Sequence, residues 1–512
     1  MTHWGLETDR ASAADCTLFP RRKSQAEFSE EVSCPFRPSS GNLAVCRNVT
    51  NDNEFMNQNL NSHSNAGETR RSFIRKAATV AATVSATNIF KTPVYGQNQA
   101  PSAGNVVGAN NRIVIGYLGV GAQGMTHVRH DKEHAQEFNI VQGAVCDLYQ
   151  KRLDEAKKFL SLSDADAYDD HRKLLERKDI DAVIVATVDN WHADCAIDAM
   201  EAGKHVYGEK PLARYLDEGF KVYDTVKRTG KVFQVGSQFT SDPMFRKAAE
   251  WVKAGKIGPL VWGQGSYCRN NQKNSEWTFP VDPGVSEQNL DWKRWLGKAP
   301  KLPFTPERFF SWHKYYTYNS GILGNLLTHR FLSLMVATGS PEYPRRVVCT
   351  GTRKVSTDRE ITDTTHLLAE FPSGLTLCIV GSTVNEVGLP DVLRGRKATL
   401  FFSSSQNKVE LKPERPFTEG EGAIDAEEFS DPGPVASVPR HRKNWLDCIR
   451  NGGTPNGNID IALKAHVVLC LGEMSERLSL TLLYDEKNRN LLTGDGKKVK
   501  PISYDTPIRP MA

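Results

Sequence analysis

From residue 111 onward the chain alternates short apolar runs with longer stretches in which polar and apolar positions mix. Residues 112–118 and 139–146 read as strands with a helix between them, and Lys151 and Arg152 open a charged helix running to about residue 161. Residues 181–187 form another apolar run, followed by a helix to residue 200, and 205–209 and 232–236 read as two more strands. Strands separated by helices of this length predict an α/β fold with a parallel, doubly wound sheet. Farther along, Thr365, Leu367, Ala369 and Phe371, then Leu375, Leu377 and Ile379, alternate with other residues around Pro372-Ser373-Gly374. That pattern predicts a β-hairpin, with helices following near 442–450 and 460–478.

The first 108 residues or so show neither period and are rich in Ser, Asn, Thr and Ala, as expected of a disordered leader. Within them, Thr69-Arg70-Arg71-Ser72-Phe73-Ile74-Arg75-Lys76 precedes a mild apolar stretch over 77–86. Paired Arg, a Phe two places on and a weakly hydrophobic core resemble a bacterial twin-arginine export signal spanning about 69–96. Val94 and Gly96 are small enough for cleavage after Gly96. Signals belong at an N-terminus, so translation is expected to begin at Met56, which places the Arg pair about fourteen residues in. The expected location is therefore the periplasm or another exported compartment.

At 512 residues the chain is long enough for two or three domains, and its 39% hydrophobic and 24% charged residues are ordinary for a globular protein. A formal charge of +5 without long Lys/Arg blocks gives no support to nucleic-acid binding. The ten cysteines form no Cys-x-x-Cys pair, and Cys146 and Cys378 fall in strand-like runs as small core hydrophobes. His366 and His466 have no partners at ligand spacing, so no metal is expected. No apolar run approaches the roughly 18 residues of a membrane span.

The chemistry begins at Gly119-Val120-Gly121-Ala122-Gln123-Gly124, between the first strand and its helix. Gly-x-Gly-x-x-Gly in that setting is a dinucleotide fingerprint: Gly119 for the tight turn, Gly121 for backbone approach to a pyrophosphate, Gly124 for helix–strand packing. Asp147 ends the second strand, 23 residues after Gly124, close to the spacing of a ribose-binding carboxylate. Three pieces follow at later strand ends: 186–192 with Asn190, Trp191 and His192; Glu209-Lys210-Pro211-Leu212; and Gly236-Ser237-Gln238. A Lys facing a cofactor cleft can polarise a substrate hydroxyl or act as an acid/base, while His192 is as well suited to packing or cofactor contact as to proton transfer.

These segments resemble the Gfo/Idh/MocA oxidoreductase family, and the resemblance continues through Leu290-Asp291-Trp292-Lys293-Arg294-Trp295-Leu296-Gly297, Ser320-Gly321 and the stretch 441–450. It implies an N-terminal Rossmann domain over 109–236 and a C-terminal α+β substrate domain with an open, mostly antiparallel sheet over 237–500. It also implies cofactor contacts from Gly119, Gly121, Gln123, Gly124, Asp147, Asn190, His192, Glu209 and Lys210. Lys210 would contact substrate near the nicotinamide. Asp147 implies NAD, since a carboxylate would repel a 2′-phosphate, whereas Lys151 and Arg152 leave NADP open.

The family's second catalytic segment has an Asp four residues before a His on one helix. Here the segment reads Asn325-Leu326-Leu327-Thr328-His329, with Leu332 where an acidic residue often follows. A spacing of four puts both side chains on one helix face, so Asn325 is expected to hold His329 by a hydrogen bond without supplying charge. Upstream, Trp312, Tyr315, Tyr316 and Tyr318 form an aromatic cluster suited to the apolar faces of sugars or to a core, and Asp291, Trp292 and Trp295 are expected to anchor a loop. The resulting expectation is an exported NAD(P)-dependent oxidoreductase for a sugar, polyol or related small carbohydrate, assembled as a homo-oligomer. The alternatives are an NAD-dependent glycosidase of the same fold and a non-catalytic nucleotide- or carbohydrate-binding protein.

Overall fold

The computed structural model describes residues 111–273 and 276–507; the leader, with its twin-arginine segment and Met56, lies outside the described residues. Six parallel strands form the first sheet: β1 (Ile113–Leu118), β2 (Ile140–Cys146), β3 (Ala167–Tyr168), β4 (Ala182–Val185), β5 (His205–Glu209) and β6 (Phe233–Gly236). Their order, β3-β2-β1-β4-β5-β6, reverses direction at β1, the switch point of a doubly wound fold. Helices α1 (Ala122–Glu133), α2 (Gln150–Leu160), α3 (His171–Leu175), α4 (Asp189–Glu201) and α5 (Leu216–Thr229) make the crossovers. β1 and β4 are buried along their whole length, which is why they read as continuous apolar runs. The two-residue β3 carries too little apolar sequence to be legible beforehand.

After α6 (Pro243–Lys253) the chain builds an eleven-stranded sheet from β7 (Leu260–Cys268), β8 (Arg346–Thr352), β9 (Thr364–Glu370), β10 (Thr376–Ser382), β11 (Asp391–Gly395), β12 (Ala398–Ser403), β13 (Lys408–Pro413), β14 (Glu427–Ser430), β15 (Leu482–Asp485), β16 (Asn490–Thr493) and β17 (Lys498–Val499). The order is β14-β13-β12-β11-β7-β10-β9-β8-β15-β16-β17, antiparallel throughout except for β7 with β10. β9 and β10 are the hairpin expected from the alternation, and all seven of its alternating positions from Thr365 to Ile379 are buried. Cys146 is in the core as expected, but Cys378 is half-buried on the outward face. The register that turns Leu377 and Ile379 inward turns Cys378 out.

In the connection from β7 to β8 run α7 (Trp292–Leu296), α8 (Pro306–Phe310) and α9 (Thr328–Ala337); α10 (Val438–Asn451) and the long α11 (Ile459–Leu478) come later. α10 returns to the parallel sheet: Trp445 and Leu446 join the core of β1 and β4, and Gln234 Nε2 donates to His441 O at 2.8 Å. The first layer is thus closed by a segment some two hundred residues past its last strand. α11 is tied to the residues after β5 by a buried ion pair, Arg214 Nη2 to Glu473 Oε1 at 2.7 Å.

Candidate functional site

The loop after β1 is shaped by its glycines. Gly119 has φ +86°, and a Cβ on it would come within 2.7 Å of the Ala186 carbonyl oxygen. A Cβ on Gly124 would lie 2.0 Å from Gly119 O, so α1 rests directly on the loop. Gly121 precedes α1 with no side-chain cap, leaving the first N–H groups of that helix for an anionic ligand. Asp147 ties the loop to β2: its Oδ2 accepts from Val120 N and its Oδ1 from Tyr149 N, each at 2.9 Å. These features fit a dinucleotide, with the pyrophosphate over Gly121 and α1 and a ribose beside Asp147.

Behind the loop lies a buried relay of polar groups. Arg442 Nη2 donates to His127 Nδ1 at 2.9 Å, so that nitrogen is an acceptor and His127 Nε2–H donates to Glu209 Oε1 at 2.8 Å. Gln123 Nε2 donates to the same carboxylate oxygen at 3.0 Å. Burial alone would raise the Glu209 pKa, but the bonds from His127 and Gln123 and the Lys210 charge hold it well below the ordinary carboxylate value. Glu209 and Gln123 line the cavity, with the Glu209 carboxylate already occupied by protein partners.

Asn190 and His192 stand behind the cavity wall rather than on it. Both are buried, and Asn190 Nδ2 donates to Leu296 O at 3.3 Å. His192 sits between two backbone carbonyls, Pro211 O at 2.8 Å from Nδ1 and Thr187 O at 3.1 Å from Nε2. His192 thus fixes the loops after β4 and β5 relative to each other, and Asn190 ties the start of α4 to the end of α7. Lys151 is drawn to Asp282 at 2.5 Å, whereas the Arg152 guanidinium lies 4.7 Å from the Phe309 ring centroid and 3.3 Å from where a Gly121 Cβ would stand.

At the far end of the same cavity, Lys210 Nζ donates to Asn325 Oδ1 at 3.4 Å, and Asn325 Nδ2 donates to Gly321 O at 3.3 Å. This corrects the expected pairing of Asn325 with His329. The segment Leu323–Leu327 is a π-helical turn running into α9. Its wider i→i+5 spacing changes the angle between positions 325 and 329, so the one-face rule of an α-helix does not hold there. His329 instead has Nδ1 3.0 Å from Ser237 Oγ at the end of β6, leaving Nε2 for the cavity. Burial, then the Lys210 charge, pushes the His329 pKa down to about 3.

The expected aromatic cluster divides. Tyr316 and Tyr318 are core residues, with the Tyr316 hydroxyl donating to Glu476 at 2.8 Å, while Trp312 lines the cavity. Trp292 and Asp291 anchor their loop through Leu302 O and Arg294 N, and Trp295 also reaches the cavity wall. The whole cavity holds about 1020 Å³, on the scale of a dinucleotide with a small substrate. His313 and Ser237 were not singled out from the sequence for any role; the only signal available was the aromatic setting of 312–318 and the strand end before Ser237. Among the described residues, no group of three or more His, Cys, Asp or Glu could hold a metal ion, and no helix is long and apolar enough to cross a membrane.

Residues 113–237 match the model of the oxidoreductase family with an NAD-binding Rossmann fold, GFO_IDH_MocA. The match takes in the parallel-sheet domain, which is therefore similar to the NAD-binding domain of that family. The chain is 32% identical over 215 residues to a glycosyl hydrolase family 109 protein of Shewanella pealeana, a match covering 39% of this chain and 45% of that one. The chain thus spans about half the length of the curated relatives it matches. Among solved structures it resembles levoglucosan dehydrogenase in complex with NADH and levoglucosan, with a TM-score of 0.54 and 17% identity over 75% of this chain and 99% of that one. It also resembles the aldose-aldose oxidoreductase of Caulobacter crescentus complexed with glycerol, with a TM-score of 0.54 and 18% identity over 73% and 99%. At such identities the likeness is one of fold.

Proposed function

We propose that the protein is an NAD-dependent oxidoreductase acting at a carbon–hydroxyl group of a sugar, polyol or related carbohydrate, and that it works in the periplasm after twin-arginine export. The observation that carries this reading is the convergence of Lys210, Asn325 and His329 at the end of the cavity that begins at the glycine loop. When bound, the nicotinamide supplies hydride acceptance and return at the substrate carbon. Gly119, Gly121, Gly124 and Asp147 hold the nucleotide, and Asn325 orients the Lys210 ammonium through its amide oxygen. Lys210 hydrogen-bonds the substrate oxygen and favours its negative charge. His329, with Nδ1 on Ser237, takes the hydroxyl proton at Nε2. Since its pKa is held at about 3, polarisation of the hydroxyl by Lys210 does much of the work of making the proton leave.

The test is to denature the purified protein, identify any released nucleotide, and follow reduction of bound or added NAD by aldoses, polyols and anhydrosugars. Release of NAD and its reduction by at least one of these is expected; absence of any nucleotide binding would sink the reading. Replacing Arg70 and Arg71 by Lys tests export, with retention of the precursor in the cytoplasm expected. A second reading, an NAD-dependent glycosidase, is favoured by the likeness to a glycosyl hydrolase family 109 protein of Shewanella pealeana. Hydrolysis of chromogenic glycosides that stops when the nucleotide is removed would establish it in place of net oxidation.

A further inference from the structure

His313 has no part in the chemistry above, yet it lines the cavity within the turn Trp312–Lys314. The turn is pinned from one side, where Lys314 Nζ reaches Glu307 at 3.1 Å and Asp358 at 2.7 Å. The imidazole itself is held by ring faces. Trp312 stacks on it with centroids 3.7 Å apart and planes at 24°, Trp277 lies parallel to it at 6.4 Å and 6°, and Phe279 is tilted against it at 5.3 Å.

Nδ1 is enclosed with no hydrogen-bond partner. Nε2 is not enclosed, and no described residue hydrogen-bonds it. An enclosed polar nitrogen without a partner is unfavourable, and a phenylalanine would fill the same stack without that penalty. An orphaned N–H is costlier to enclose than an unused lone pair, which puts the ring proton on Nε2, at the cavity. Burial and the Lys210 charge push the ring's pKa down to about 3, so it meets its ligand uncharged. A neutral donor between aromatic faces suits a hydroxyl on a ring with apolar faces better than it suits a carboxylate or phosphate, which would select a guanidinium or ammonium.

We propose that His313 is the specificity residue of a second substrate subsite, where Nε2–H donates to one hydroxyl of a carbohydrate ring lying against Trp312 and Phe279. The subsite lies on the same cavity as Lys210 and His329, and in this proposal the hydroxyl it reads is a second one, beside the hydroxyl held by Lys210. This inference rests on the carbohydrate reading above and sharpens it: the substrate is cyclic and carries a hydroxyl besides the one that reacts.

The experiment titrates the purified, nucleotide-loaded protein with levoglucosan and with D-glucose, measuring affinity by calorimetry and NAD reduction separately. His313→Phe is expected to weaken binding of the probe about tenfold or more, with His313→Gln recovering part of the loss. Across the monodeoxy-glucose series, one deoxy position is expected to cost the wild type a similar factor and to cost His313→Phe nothing further. Unchanged affinity in His313→Phe overturns the subsite, whether or not the probes are oxidised. A probe that binds in a His313-dependent way and is never oxidised overturns the oxidoreductase reading and leaves the subsite standing. Failure of the wild type to bind either sugar or any of the series overturns both. Nucleotide retention reports folding, and if His313→Phe fails that check the comparison is made with His313→Gln.

Discussion

At the glycine-loop end of the cavity the walls are largely backbone: the turn at Gly119, the open N-terminus of α1 and an Asp147 carboxylate already spanning two N–H groups. At the other end the wall is side chains: Lys210 after β5, Gln238 after β6, Asn325 and His329 from the π-helical turn and α9, and the aromatic segment near residue 312. Two imidazoles, His127 beside Glu209 and His329 in the field of Lys210, show what this difference means. His127 has both nitrogens engaged, by Arg442 and Glu209, and is a structural strut. His329 has one nitrogen on Ser237 and the other facing the cavity, which leaves it free for chemistry. Residue type alone does not separate them; the number of unspent hydrogen-bonding positions does.

The backbone-built end should break most completely. Gly124→Val places a side chain where a Cβ already meets Gly119 O at 2.0 Å, and destabilisation of more than about 3 kcal/mol with loss of retained nucleotide is expected, measured by urea denaturation and nucleotide release. At the side-chain end, Lys210→Met should leave nucleotide bound while kcat/KM falls about 10²- to 10³-fold; near-normal turnover would remove Lys210 from the chemistry.

Asn325→Asp sharpens the contrast through pH. In the proposed reaction His329 works deprotonated, so activity is expected to fall as pH drops through its pKa, which burial and then the Lys210 charge push down to about 3. A carboxylate beside Lys210 partly cancels the ammonium's field, raises the imidazole pKa and should move that fall to higher pH by about one unit. A pH–rate profile that does not move would place His329 outside the proton transfer. The smallest effect is expected from Ser237→Ala, which removes the 3.0 Å partner of Nδ1: loss of about 1 kcal/mol of orientation, or about fivefold in kcat with KM little changed.

Much of the first layer was legible because its signals are local. A buried parallel strand must be apolar along its length, and the turn after β1 needs glycine at fixed offsets, so both are written in consecutive residues. The β9–β10 hairpin was legible for the same reason, its seven inward positions repeating every two residues. Less was readable where the helical period itself changed. The π-helical turn at Leu323–Leu327 redirects Asn325 to Lys210, and no spacing rule for an α-helix anticipates that. Ser237 was placed at a strand end and His313 beside an aromatic cluster without a role for either, since a serine at a strand end and a histidine beside a tryptophan have many uses.

By itself, then, the order of residues determined the Rossmann layer and the dinucleotide loop, because each rests on contacts within some twenty to thirty residues or on a periodic pattern, while His329 was named through the resemblance to a family. Only the tertiary structure decided which imidazole is a strut and which is free, that Ser237 rather than Asn325 holds His329, and that α10 returns to close the first sheet. Those outcomes depend on partners far apart along the chain: 92 positions separate Ser237 from His329 and 315 separate His127 from Arg442. A hydrogen bond over such a separation is set by how the layers pack, and packing is a property of the whole fold.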